Sequence, residues 1–346
     1  MELLLADSLS DEELFLLVDS HNPYHLRFKP FNLSSMTEIE CVKNFRFEKA
    51  DLERLCNALQ MPAMLQKERT KWTGMEGLCL VLRRLAYPGR LHDLVPTFGR
   101  DVTQLSRIFN TSLSFIYDKF GHLLEDLDQE WLTVDHMRQY AQAIYRRGAP
   151  LKNCWGYIDG TVMPICRPLL DQREFFNGHK RVHSLKYQSV VAPNGLIVQM
   201  FGPMEGRRHD AALLAESGLL TKLEGKTTAD GTPLSLYGDQ AYPLHPHLIC
   251  PYKGSRLTPD QQEFNARMSS GREAVEWMFG RIVQQFAFVD FKKNLKLDLQ
   301  PVAKYYLVAA LLTNCHSCIY GNQVSRYFDL IPPQLEVYLR PSNLEE

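Results

Sequence analysis

No stretch of this chain stays apolar for anything near the ~20 residues that a membrane-spanning helix requires, so no helical span is expected. The opening segment, "MELLLADSLSDEELFLLVD", lacks the basic start of a signal or transit peptide and reads as acidic and amphipathic. The expectation is a soluble, intracellular protein. An excess of either charge is also missing: 39 Lys and Arg stand against 40 Asp and Glu, a formal charge of −1. That excludes a uniformly basic nucleic-acid coat but leaves room for local basic patches. The eight cysteines are scattered, and only Cys315 and Cys318 lie close together. With no second pair or histidine pair at ligand spacing, they read as free thiols of a reducing compartment rather than a zinc site. Internal repeats and low-complexity tracts are absent, which excludes solenoids. What remains is 346 residues, 45% of them hydrophobic and 23% charged. That is material for one large domain or two unequal ones.

Residues 1–150 read almost entirely as helices. In "EKADLERLCNAL", Leu52, Leu55, Cys56 and Leu59 fall on one stripe, with Glu48 and Asp51 at the end where the helix dipole favours acid. "GMEGLCLVLRRLAY" is a more buried helix that ends at Pro88-Gly89. The stretch from Arg90 to Phe120 reads as a short helix, a turn at Phe98-Gly99, and a helix carrying Leu105, Ile108 and Phe109. This helix-turn-helix rhythm serves DNA contact or plain scaffolding; in the first case Arg100, Gln104 and Arg107 should face outward.

Near Pro150 the texture changes. "CWGYIDGTVMPI" is strand-like, and "HSLKYQSVVAPNGLIVQMFGPM" is two strands joined at Pro193-Asn194-Gly195. A helix follows in "DAALLAESGLLTKL", a strand in "LSLYGDQAYP", and a helical region from Gln261 to Phe286 that Ser269-Ser270-Gly271 should interrupt. The last helix, "AKYYLVAALLTNCHSCIYG", is apolar enough to be buried.

One carboxylate stands near each junction of this second half. Asp159 and Asp239 each end a strand, and they converge if those strands are neighbours. Glu276 flanks the stripe of Val275, Met278, Phe279 and Ile282, while Asp210 opens a helix. Gathered acids repel one another unless a divalent cation with hard-oxygen preferences binds them. Two such ions stabilise both oxygens of a phosphodiester displacement. Simpler readings exist for each residue alone: a turn at Asp159-Gly160, a strand-end cap at Asp239, an N-cap at Asp210, and an Arg272 partner in Glu276.

The quoted segments "YIDGTVMPI", "YQSVVAPNGLIVQMFGPMEGRRHDAALL", "LYGDQAYP" and "REAVEWMFGRIVQQF" resemble, in order and spacing, the PIF/Harbinger transposase-derived nuclease family of the DDE superfamily. The resemblance covers roughly residues 150–320. It implies an α/β fold with an RNase H-like mixed sheet flanked by helices (residues 151–330), following an all-helical N-terminal domain (1–150) and followed by a tail (331–346). It also implies Asp159, Asp239 and Glu276 as catalytic residues, with Asp210 joining them as ligands of Mg²⁺ or Mn²⁺. Val283 and Gln285 stand where the family usually has Lys and Arg, which removes expected phosphate contacts.

Two functions follow from this reading. One is a metal-dependent DNA endonuclease or transposase, whose phosphate track would use Lys180, Arg181, Lys186, Arg207, Arg208, Lys292, Lys293 and Lys296, unless these are simply solvated surface. The other is a domesticated, non-catalytic module that binds DNA or protein. The resemblance further implies a Myb-like DNA-binding partner and a nuclear location; the sequence itself leaves both a monomer and an oligomer open.

Overall fold

The computed structural model describes residues 29–340; the acidic segment at 1–19 lies outside them. Its first half is built on helices that the sequence caps explicitly. Thr37 and Glu40 form a reciprocal box at the start of α1 (Glu38–Phe45), and Thr73 and Asp101 cap α3 (Gly74–Ala86) and α4 (Val102–Phe120). Between α1 and α3 lies α2 (Lys49–Ala58), whose Leu52, Leu55 and Cys56 stripe is buried. The turn before α4 is made by Gly99 in the left-handed region (φ 63°).

This half is not all helical. Strands β1 (Met64–Lys67) and β2 (Thr70–Thr73) form an antiparallel hairpin. Alternation of buried Thr70 and Trp72 with exposed neighbours drives it, and the Trp72 indole donates to Ser112 Oγ on α4 (3.1 Å). The turn carries Glu68 at φ 52° in place of the glycine that would have announced it.

The hairpin also changes the outlook of α4. Arg100 forks onto Glu76 at 2.9 and 3.0 Å, and Arg107 reaches Glu68 in the hairpin turn at 2.7 Å. The expected outward basic face is therefore occupied by internal ion pairs, because Glu68 of the hairpin turn and Glu76 of α3 stand beside it. Gln104 is half-buried.

After α5 (Val134–Arg146) the chain enters a mixed sheet. β3 (Cys154–Pro164) pairs antiparallel with β5 (Val182–Val191), and β5 pairs with β6 (Ile197–Glu205). The short β4 (Phe176–Asn177) pairs with the start of β5. On its other edge β3 takes β7 (Ser235–Tyr237) in parallel, and β7 takes β8 (Leu248–Ile249) in parallel. The order is thus β6-β5-β3-β7-β8, with helices packed on the sheet. The β5–β6 connection is the expected one, with Gly195 at φ 81° and pressed against Asn322.

α6 (Asp210–Ser217) ends at Gly218 in the left-handed region. α7 (Pro259–Gln285) runs without a break through Ser269-Ser270-Gly271, against expectation. A mid-helix glycine costs about 1 kcal/mol, but here it lets the helix lie on β3: a Cβ at Gly271 would run into the Tyr157 hydroxyl. α8 (Val302–Tyr320) is buried along most of its length. Its Asn314 side chain accepts from the Ile197 amide at 3.0 Å and donates to the Ile197 carbonyl at 2.8 Å, satisfying the first residue of β6. The N-terminal helices and the sheet share one contiguous hydrophobic core.

Candidate active site

The register of the sheet brings the carboxylates together. Tyr157 of β3 stands opposite Tyr237 of β7 in a parallel ladder. Asp159 and Asp239 each follow two residues later: Asp159 lies in the middle of β3 rather than at the expected strand end, because β3 continues to Pro164, while Asp239 lies just past the end of β7, near enough to act on the charge of Asp159. β7 ends at Tyr237 and leaves that edge of β3 open at Asp159. Because side chains alternate, Asp159 shares a face with Tyr157 and so looks toward α7.

There Arg272 Nη1 lies 2.8 Å from Asp159 Oδ2, and Arg272 Nη2 lies 3.4 Å from Glu276 Oε1. Arg272 therefore bridges the two acids. The Gly160 amide donates to Asp159 Oδ1 at 2.8 Å, and the Ala241 amide to Asp239 Oδ1 at 2.8 Å.

Gly160 explains why the motif is Asp-Gly. The Asp210 carboxylate packs directly on its Cα, where any Cβ would collide with it. Lys186, whose side chain is only 10% exposed, holds Asp210 Oδ1 at 2.9 Å and donates to the Arg208 carbonyl at 3.0 Å. Asp210 is the first residue of α6, and His209 takes the cap position. Among the described residues, no well-aligned hydrogen bond reaches the buried Asp210 Oδ1 in addition to that ion pair.

Behind the acids, Tyr242 is buried, and its hydroxyl also lacks a partner among the described residues. Burial pushes its pKa well above the ordinary value, and Asp210, Asp159 and Asp239 all add to the rise. Asp159 itself is raised from 3.8 to about 6. Burial is the main cause; Arg272 and the Gly160 amide oppose it, while Asp239 and Asp210 reinforce it.

The donor set of carboxylate oxygens with an under-satisfied atom fits a hard divalent cation in chemistry. In position it is not yet assembled: among the described residues, no three Asp, Glu, His or Cys side chains reach one common point. The physical reason is local charge pairing. Arg272 and Lys186 supply the counter-charges, and the Glu276 side chain remains 59% exposed.

The basic residues separate into two groups. Lys186 is buried in its pair with Asp210 and is not part of any outer track. Arg207 is neutralised by Glu174 (2.9 Å), and Arg208 by Glu205 (3.2 Å) and Glu216 (3.4 Å). Lys180, Arg181, Lys292, Lys293 and Lys296 are exposed.

The dual pairing of Arg272 and the seat that Gly160 makes for Asp210 were not foreseen. The Arg-x-x-x-Glu spacing hints at the first, since residues four apart share a helix face. Nothing local hints at the second, because Asp210 is about fifty residues away along the chain.

Comparison with known proteins agrees with this arrangement. Residues 158–314 match the family described as DDE superfamily endonuclease. The chain is 24% identical over 226 residues to a protein named "Protein ALP1-like" from Arabidopsis thaliana, covering 62% of this chain and 53% of that one. It is 30% identical over 125 residues to a "Probable transposase for insertion sequence element IS702" from Microchaete diplosiphon, covering 36% of this chain and 45% of that one. The chain thus spans about half the length of the curated relatives it matches. No solved structure matches it. With the strand order and this match together, the segment from 158 to 314 is similar to a DDE superfamily endonuclease domain.

Proposed function

We propose that the protein is a divalent-metal-dependent endonuclease that cleaves DNA phosphodiester bonds in the manner of a transposase. Asp159, Asp239 and Glu276 are its catalytic residues, and they hold Mg²⁺ or Mn²⁺ together with Asp210. The observation that carries the reading is the placement of Asp159 and Asp239 two residues beyond the Tyr157–Tyr237 pair of parallel strands. Such a cation, when bound, supplies an activated water and stabilises charge on the phosphate oxygens.

The chain's own groups prepare that chemistry. With a pKa of about 6, Asp159 is ionised at neutral pH although it is buried. Lys186 and the absence of a side chain at Gly160 fix Asp210, and the Ala241 amide fixes Asp239. Arg272 offsets the charges of Asp159 and Glu276 until a ligand replaces it. Residues 151–330 are the nuclease unit in this reading. DNA recognition is shared with a Myb-like partner that also accounts for a nuclear location.

A second reading, a non-catalytic binding module, draws support from the same ion pairs, since Arg272 and Lys186 already offset charge on the acids without metal. A plasmid-nicking assay separates the two. Cleavage with Mn²⁺ or Mg²⁺ that stops with a chelator supports the endonuclease; no cleavage with either metal, while DNA still binds, supports the module.

A further inference from the structure

Beyond the end of β3 the chain builds a cleft of about 290 Å³ that contains no acid in its lining. Its walls carry Arg167, Arg181, His183, Lys292 and Lys293. Backbone hydrogen bonds tie its walls together: the Ile165 amide donates to the His183 carbonyl, and the Cys166 amide to the Leu295 carbonyl, both at 2.9 Å. Arg181 is held in the left-handed region at φ 55°, a conformation that a non-glycine residue adopts at a cost and that is often retained at functional positions. Among the described residues, none of the four cations pairs with a carboxylate within 4.0 Å. Arg167 spends one donor on the neutral Gln172 side chain at 2.8 Å. The contrast with Arg207 and Arg208, both neutralised by glutamates, is direct.

Four unpaired cations converging on one concave, framed space make a site for an anion with several oxygens. Ile165 lies six residues beyond Asp159, ~20 Å along the strand at ~3.3 Å per residue. Successive nucleotides of one DNA strand advance ~3.4 Å along a duplex axis, so for a duplex lying along β3 that separation corresponds to about six base pairs.

The geometry points to this cleft as a clamp on the DNA phosphate backbone about six base pairs from the position of cleavage, with Arg207 and Arg208 outside the DNA path. The inference rests on the endonuclease reading for its substrate. It goes further in fixing where the duplex runs and which of the exposed cations touch it.

The test is fluorescence-anisotropy binding of a duplex oligonucleotide in EDTA, so that cleavage plays no part, over a series of salt concentrations. Lys292→Ala with Lys293→Ala should reduce the slope of log affinity against log salt by about 1.8, two contacts at about 0.9 each. Arg181→Ala should reduce it by about 0.9, and Arg207→Ala with Arg208→Ala should leave it unchanged. These side chains are exposed, so matched thermal midpoints would establish that the variants fold. Methylphosphonates placed about five to seven nucleotides from the cut should erase the difference between wild type and the lysine variant; the same groups about twelve nucleotides away should not.

Equal slopes for the lysine variant and wild type would overturn the clamp and leave the endonuclease reading untouched. So would inorganic phosphate competing as well as the DNA. Reduced slopes in a protein that never nicks DNA with Mn²⁺ would uphold the cleft as a DNA contact while refuting the endonuclease reading.

Discussion

Replacing Asp159 by Asn removes a charge and keeps the size, so its consequences can be worked out from the site. Asp159 is 17% exposed, and its pKa is raised from 3.8 to about 6. Between those two pH values the native state holds a proton that the unfolded chain has released. Native stability therefore falls as pH rises through that window, and the loss is complete above about pH 7. The difference corresponds to about 3 kcal/mol at about 1.36 kcal/mol per pKa unit. It already includes the favourable pull of Arg272, which acts against burial and the neighbouring Asp239 and Asp210. The amide introduced by the substitution cannot ionise, so in EDTA at about pH 8 Asp159→Asn should be more stable than wild type by up to about 3 kcal/mol, and at about pH 4 the two should be nearly equal. Metal should reverse the order. A cation present at about 100 times its Kd adds about 2.7 kcal/mol to wild type and much less to the variant. Urea denaturation at pH values of about 4, 6 and 8, with and without Mn²⁺, reads all of this. Nicking should fall by several orders of magnitude while DNA affinity in EDTA holds. A variant that gains no stability at the highest pH, or a gain independent of pH, would refute the electrostatic account; wild-type nicking by Asp159→Asn would refute the metal site.

Gly271→Ala should destabilise by about 1–3 kcal/mol, since its Cβ meets the Tyr157 hydroxyl; a double-mutant cycle with Tyr157→Phe should recover part of the loss, and strict additivity would contradict the contact. Arg100→Ala should cost about 2 kcal/mol by leaving the 8%-exposed Glu76 carboxylate without its fork. It should leave DNA affinity unchanged, and a marked loss of affinity would restore a DNA role to the start of α4. Gly160→Ala should unseat Asp210 and shrink the thermal stabilisation that Mn²⁺ gives, as differential scanning fluorimetry would show; an undiminished shift would mean that Asp210 is no ligand. Glu276→Gln, at an exposed position, should change stability by no more than about 0.5 kcal/mol yet suppress nicking, and retained nicking would remove Glu276 from the catalytic set.

Much of the architecture was legible because it rests on local rules. The strands around Asp159 and Asp239, the hairpin at Pro193-Asn194-Gly195 and the buried helix from Val302 to Tyr320 all declare themselves through periodicity and turn chemistry. The order of motifs that marks the endonuclease domain is likewise a one-dimensional property. The errors have one origin: local signals weighed without their tertiary neighbours. Ser269-Ser270-Gly271 looks like a break until Tyr157 is seen to need the space. "MLQKERTKWT" gives no hairpin signal within a half read almost entirely as helices, because its turn residue is Glu68 rather than glycine, and the indole of Trp72 on Ser112 ties the hairpin to α4.

Charge pairing was out of reach for the same reason. Arg100, Arg107, Lys186, Arg207 and Arg208 all read as free cations in one dimension, yet each finds an acid in the fold. Arg167, Arg181, Lys292 and Lys293 are brought together without one among the described residues, from three separate stretches of chain. Residue type and spacing determine which side chains are capable of ionisation, ligation or turning. Whether a given charge is spent inside the molecule or left for a ligand depends on through-space distances of roughly 3–4 Å. Those distances join residues far apart in sequence, 113 positions in the case of Arg272 and Asp159, and only the folded chain sets them.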